Sequence, residues 1–349
     1  MRLRDVKKIR RMARRLLGQM VNGPLILMYH RVIASDVDPW SMAVTPESFD
    51  AHLDVLSHDA HLVRLSDLAK FAGTAELPPR SVALTFDDGY ADGLEAAAPI
   101  LDRYGAPATL FLVTGRKADA VFWWDELERI FLQPGNLPRV LEWEFEGARR
   151  RISLGNDAVY SNADAHRHRG WRAFEDKPPT NRHRIFVELY RRLKTMSEDE
   201  RAARLDTLRN WAGLGADGRE QYRLLSENNI RDLARGGRME LGSHTVTHPV
   251  LSALPEETQR REIENSKRWL ESITGRGVNS FAYPHGSPDT YTPRTVELVR
   301  EAGYSYACVA HPGLIHASVN RFKLPRIEVR DLSKDRFARC LRDWFSDPR

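Results

Sequence analysis

The sequence predicts an α/β protein, a distorted (β/α)7-8 barrel with a mostly helical insertion. Three observations carry that expectation. Short apolar runs recur from residue 24 onward, segments with helical periodicity and capping signals separate them, and the alternation lapses only between about 118 and 222.

The runs are PLILMYHRV (24–32), SVALTFDDG (81–89), PATLFLVTG (107–115), MELGSHTV (239–246), SFAYPHG (280–286), YSYACVA (304–310) and FKLPRIEV (322–329). Thr45 with Pro46 opens one intervening helix. Residues 91–104 place Leu94, Ala98, Leu101 and Tyr104 on one helical face, and Pro255 opens a long helix through Thr274 that Gly275 stops. Pro293 begins another, ending near Gly303. Strands alternating with helices in this way argue for a parallel sheet, and seven or eight repeats argue for a barrel.

Inside the lapse, VLEWEFEGARRRISL (140–154) reads as a hairpin with polar alternation. A polar stretch with His and Arg (161–184) follows, then charged helices at 181–195 and 197–213. The expected organisation is an N-terminal segment of 1–22, a barrel of 23–117 and 223–349, and an insertion of 118–222 in one barrel loop. The insertion would serve as a lid or a partner surface.

Composition fits a soluble globular chain with a sizeable core: 349 residues, 42% hydrophobic and 29% charged. The net charge of +5 is too small and too diffuse to point to nucleic acid. Cys308 and Cys340 form neither a metal-spaced motif nor a disulfide framework, which favours a reducing compartment. No stretch approaches the roughly 20 apolar residues of a membrane span. In MRLRDVKKIRRMARRLLGQM, apolar residues from Leu3 to Met20 recur at helical spacing among Arg and Lys, without the continuous apolar region of a secretory signal. Residues 1–20 read either as a basic amphipathic helix on an anionic membrane surface or as a solvated helix packed on the barrel. The expected location is the cytoplasm, with peripheral contact at the inner membrane face under the first reading.

Three features fall at the ends of predicted strands, the face where barrels build their sites. Asp87 and Asp88 end an apolar run side by side; like charges in contact raise a carboxylate pKa unless a cation is near. The pair is either turn chemistry or the wall of a cation site, and successive residues of a strand can point their carboxylates apart. His244 and His248 lie four apart and converge on one cation if the chain makes a single helical turn between them. Two imidazoles and a carboxylate are a usual zinc set, and three ligands with an open position mark a catalytic site. In FAYPHG, Pro284 and Gly286 bend the chain after a strand. Each feature has a bland counterpart, since DDG is commonly a turn and H-x-x-x-H arises by chance among 12 histidines. Trp123, Trp124 and Asp125 open the insertion, as a sugar platform or, the preferred reading, as packing.

Taken in order, TFDDG, H-T-x-x-H and Y-P-x-G resemble the polysaccharide deacetylase family (NodB homology, carbohydrate esterase 4). The resemblance spans roughly 24 to 330 apart from the insertion. It is strongest to the branch with LMYH and A-Y-P-x-G, which includes deacetylases of poly-N-acetylglucosamine. It implies a hydrolase that removes N-acetyl groups from amino sugars of a polysaccharide or glycan precursor. It assigns Asp88, His244 and His248 to a divalent metal, usually zinc, and Asp87 to the general base.

For the general acid, Leu314-Ile315-His316 fits the family's late L-x-H string, whereas the LMYH branch supplies the histidine from its first strand, here His30. His30 is preferred because it ends a strand-like run and His316 falls in a loop-like one. The expected substrate side is Tyr283, Pro284, His285 and Gly286, with a backbone N–H there facing the oxyanion, together with Arg326. The chain departs from the family at Ser280-Phe281-Ala282-Tyr283, where no Arg precedes Pro284 to hold the catalytic Asp. Arg326 either takes that role or is a structural ion-pair residue. The expected partner is a glycan or lipid-linked glycan, not nucleic acid. The rival readings are an O-deacetylase or non-sugar amidase on the same barrel, and a non-catalytic glycan-binding protein.

Overall fold

Seven parallel strands follow one another round a curled sheet in the order in which the chain makes them: β1 Leu25–Tyr29, β2 Ser81–Phe86, β3 Ala108–Leu112, β4 Met239–Ser243, β5 Ser280–Ala282, β6 Tyr306–Cys308 and β7 Ile327–Glu328. β1 lies between β2 and β7. The chain before β7 bonds back to β6, with Val309 N–H donating to Leu324 O at 2.9 Å, so this last segment reaches both edges of the sheet. An eighth strand, His61–Leu62, pairs only with the start of β2, and the expected count of seven or eight resolves to seven around the barrel. The computed structural model describes residues 23–346 apart from 72–76, 117, 119, 146, 216–221, 238, 314 and 317, so the N-terminal helix expected over 1–22 lies outside the described residues.

LILMY, SVALTF and ATLFL are buried at every position. That is the pattern of parallel strands covered on both faces, where no alternation is needed. The run FKLPRIEV shrinks to a two-residue strand, because Pro325 has no N–H to give a ladder. Outer helices begin and end where their caps dictate. Thr45 Oγ1 accepts from Ser48 N–H at 3.2 Å before the helix Pro46–Asp59, and Gly275 at φ 66° ends the helix Glu256–Thr274. The segment 91–104 differs from a regular helix, because a π-helical turn at Gly93–Ala97 precedes the α-helix Ala98–Arg103. The wider turn shifts the register, so Ala97, Ile100 and Leu101 take the buried face that regular spacing gives to Ala98 and Leu101.

Within 118–222, Val140–Phe145 and Ala148–Ser153 form the antiparallel hairpin, with Glu142 opposite Arg151 and Glu144 opposite Arg149. Helices Trp123–Phe131, Asn181–Leu193 and Glu198–Ala212 pack a second apolar cluster that includes Phe122, Leu127, Phe186, Leu189 and Leu208. Tyr90 and Val113, just past β2 and β3, belong to the same cluster, so this second core is built directly on the C-terminal ends of the strands.

Candidate active site

The β2 ladder runs one residue past the strand, where Asp87 N–H donates to Tyr29 O at 3.0 Å. The backbone then turns left-handed at Asp88 (φ 72°) and Gly89 (φ 89°), which swings the second carboxylate away from the first. A side chain at Gly89 would also meet Leu112 Cδ2 at 2.9 Å. Arg326 grips Asp87 with two parallel bonds, Nη1 to Oδ1 at 2.7 Å and Nη2 to Oδ2 at 2.6 Å. Its Nε donates to Val309 O and Nη1 also to Thr85 Oγ1. Thus an arginine from just before β7 stands where no arginine precedes Pro284. It lies fully enclosed behind Asp87 rather than along the cavity, which corrects its placement on the substrate side. Burial acts to raise the Asp87 pKa, but Arg326, with His244, carries it below the ordinary carboxylate value.

Asp88 has different surroundings. Its Oδ1 is buried with no hydrogen-bond partner, 3.6 Å from His244 Nε2 and 3.5 Å from His248 Nε2. The three ligand atoms lie within 4.8 Å of one another. Such gaps are long for hydrogen bonds, yet they suit ligands of one ion, because bonds of about 2.0–2.1 Å in a tetrahedron place ligands about 3.3 Å apart. His244 Nδ1–H donates to Ala282 O at 2.8 Å, which leaves the Nε2 lone pair facing the gap. Burial, Asp87 and Asp125 push the Asp88 pKa well above the usual range, a penalty that a cation at this point would offset. The carboxylate and two imidazoles therefore fit a divalent metal.

The two histidines do not converge through the expected helical turn. Thr245 (φ 69°) and His248 (φ 59°) are left-handed, and His248 N–H donates to Thr245 Oγ1 at 3.0 Å. Glu262 ties this loop down by accepting from Val246 N–H, Thr247 N–H and Thr247 Oγ1, each at 2.9 Å. No sequence signal marked Glu262, because it lies in the middle of a charged helix among many similar carboxylates.

A cavity of about 140 Å³ joins Asp87, Asp88, His244, His248, His30, Tyr283 and His285. His30 reaches it from the end of β1, whereas His316 is exposed and bonded to Ser318 Oγ, so the first-strand histidine is the one at the site. Burial lowers the His30 pKa, against opposing pulls from Asp87 and Glu328. His285, at φ 60°, sits with its ring 4.7 Å from that of His248. Pro284 and Gly286 shape the turn and do not line the cavity. Gly286 has φ 58°, and a Cβ there would lie 2.4 Å from Ala310 N. Of the backbone N–H groups expected to face an oxyanion, that of Tyr283 is committed to Cys308 O and that of Gly286 to Pro284 O.

The rest of the cavity wall escaped the motifs. Trp40 and Met42 come from the loop after β1, Tyr190 from the helix Asn181–Leu193, and Glu328 from β7. Trp124 also lines it, 4.9 Å from the His248 ring, with Nε1 donating to Tyr90 OH and that hydroxyl donating to Asp125. Trp123 turns the other way and packs against Tyr190 and Arg201.

Carboxylate and imidazole donors on the C-terminal rim of a parallel barrel give this α/β chain a site compatible with a divalent metal. The family model for polysaccharide deacetylases matches residues 74–136 and 210–307, the segments that carry Asp87, Asp88, His244 and His248. The poly-beta-1,6-N-acetyl-D-glucosamine N-deacetylase of Staphylococcus aureus (strain MSSA476) is 32% identical over 114 residues, which cover 29% of this chain and 39% of that protein. The chain thus spans well under half the length of the curated relatives it matches, 31% and 39% in the first two cases. The fold is shared with IcaB from Ammonifex degensii (18% identity, TM-score 0.55, 93% of this chain and 97% of that one). It is shared equally with the deacetylase PplD of Streptococcus pyogenes in complex with acetate (18% identity, TM-score 0.55, 91% and 97%).

Proposed function

We propose that this chain is a metal-dependent hydrolase that removes N-acetyl groups from amino sugars of a polysaccharide or glycan precursor. One observation carries the reading: a carboxylate locked by Arg326 stands beside a second carboxylate that, with two histidines, surrounds a cation-sized gap in an open cavity. The identity with the S. aureus protein makes a β-1,6-linked N-acetylglucosamine chain the first substrate to try. Asp88, His244 and His248 would hold the metal, for which zinc suits the N/O donor set. When bound, such an ion lowers the pKa of water to about 7 and polarises a carbonyl.

Asp87, kept ionised by Arg326, accepts the proton of the attacking water. His30 delivers a proton to the leaving nitrogen, without which an amine is a poor leaving group. Tyr283 and His285 flank the acetyl-bearing sugar. The test is acetate release from N-acetylated glycans with and without chelator, alongside metal analysis of the purified chain. A metal-free chain, or release that ignores chelator, overturns the reading.

For location we propose the cytoplasm, with peripheral contact at the inner membrane face supported by the alternation of basic and apolar residues over 1–20. Among the described residues no helix is long and apolar enough to cross a membrane. Recovery of the native protein from the periplasm or medium would defeat this placement.

A further inference from the structure

The wall of the cavity continues outward into an aromatic cluster that the chemistry of deacetylation does not use. Trp40 and Tyr190 line the cavity and lie 4.1 Å apart between ring centroids. Phe174 packs on both, 5.8 Å from Trp40 and 5.6 Å from Tyr190, and the Arg191 guanidinium lies over its ring, 5.1 Å from the centroid. Among the described residues it is one of two large hydrophobic side chains that stand exposed, at 51%.

The way Phe174 is held is also unusual. Its backbone is left-handed, φ 69°, a conformation that costs a bulky residue energy and persists only where the surroundings enforce it. They do so on both sides. Ala173 N–H donates to Pro39 O at 2.8 Å, and Glu175 pairs with Arg330 just past β7. Arg172 and Asp176 close the turn through two bonds, Arg172 N–H to Asp176 Oδ2 at 2.9 Å and Asp176 N–H to Arg172 O at 3.0 Å. A half-exposed apolar ring is thus held under strain against two side chains that line the cavity.

We propose that Phe174, with Trp40 and Tyr190, forms a stacking subsite for the pyranose ring next to the acetylated one. The apolar C–H face of a pyranose lies well on an aromatic ring, and the cluster is continuous with the cavity through Trp40 and Tyr190. The chain then selects N-acetylated oligomers over single sugars. This inference rests on the deacetylase reading and names the substrate length that the reading leaves open.

The test is calorimetry of the metal-loaded chain with N-acetylglucosamine oligomers of one to four sugars, with acetate release followed in the same samples. Affinity should rise about tenfold from one sugar to two, the upper range for one good aromatic contact. Phe174→Ala should remove that step while leaving binding of the single sugar unchanged. Phe174→Gly, which removes the backbone strain, should unfold no more easily than the parent yet lose the same step, an outcome that a merely structural role would not give. A length step that survives in both variants, or is missing from the parent, overturns the subsite. Absence of acetate release from every oligomer by the parent overturns the deacetylase reading instead, because the length step is read by binding alone.

Discussion

The barrel rim and the wall over it meet at one cavity, but different forces hold them. On the rim, Asp87, Asp88 and His244 ride on strand ends whose backbone ladders fix them, and the Asp87–Arg326 pair is fully enclosed. The wall of Trp40, Trp124 and Tyr190 is aromatic packing. It is pinned to the barrel side partly by ion pairs such as Arg330–Glu175, whose two side chains are 38% and 45% exposed. Exposed pairs contribute about 0–1 kcal/mol, whereas removing one partner of a buried pair costs about 3–5 kcal/mol. Substitutions on the rim should therefore abolish chemistry or stability, and substitutions in the wall should tune affinity.

The largest effect should come from the cation gap. Asp88→Ala, or dialysis against a strong chelator, should bring acetate release to background, and the variant should purify without near-stoichiometric metal. Restoring zinc should rescue the dialysed parent but not the variant. If the variant keeps both metal and activity, the three-ligand site is wrong.

Asp87→Asn comes next. It should keep its metal and lose about 10²–10⁴-fold in turnover, the contribution of a positioned base. The effect of Arg326→Met should be smaller on turnover and larger on stability, about 3–5 kcal/mol in urea unfolding, because Asp87 is left buried without its partner. Lysine should rescue only partly, since it cannot make two parallel bonds. Equal losses of metal in the Asp87 and Arg326 variants would show that the two adjacent carboxylates do not divide their work.

The rim was legible in the sequence because its residues are close along the chain. Asp87-Asp88-Gly89 and His244 to His248 each carry a site within a few residues, and the apolar run before each identifies the strand that presents it. Arg326 could be named but not given one role, because its bond to Asp87 crosses 239 positions and depends on β7 closing against β1. Apart from Trp124, which the sequence marked with two open readings, the wall lacked a signal. Trp40, Phe174 and Tyr190 are brought together by loops and a helix from separate parts of the chain, and a lone aromatic residue reads as core wherever it occurs. The pair Trp123-Trp124 shows the same limit, since one ring faces the cavity and its neighbour faces the apolar cluster of the added helices.

The smallest effect separates the two regions by acidity. Each contains a buried histidine outside the Asp88, His244 and His248 group. In the barrel, His52 donates from Nε2 to Leu332 O at 2.7 Å and stacks on Phe337, and burial lowers its pKa to about 4. In the region over the rim, His183 packs edge-on to Trp171 with its Nδ1 2.7 Å from Thr180 Oγ1, and burial lowers its pKa to about 3. Both are neutral when folded, whereas the unfolded chain takes up protons near the ordinary value of about 6.5. The unfolded state therefore binds more protons between that value and the folded pKa, so the stability each histidine contributes is present above about 6.5 and is lost as pH falls toward 4 or 3. Between pH 7 and pH 5 the His52 contribution should fall by about 2 kcal/mol. His52→Gln, which keeps a donor toward Leu332 O, should flatten that part of the pH dependence of urea unfolding, and His183→Gln should do the same for the other region. If only His183→Gln flattens it, acid opens the wall before the barrel. If neither does, these histidines are already protonated in the fold and the assignment of both as buried neutral groups fails.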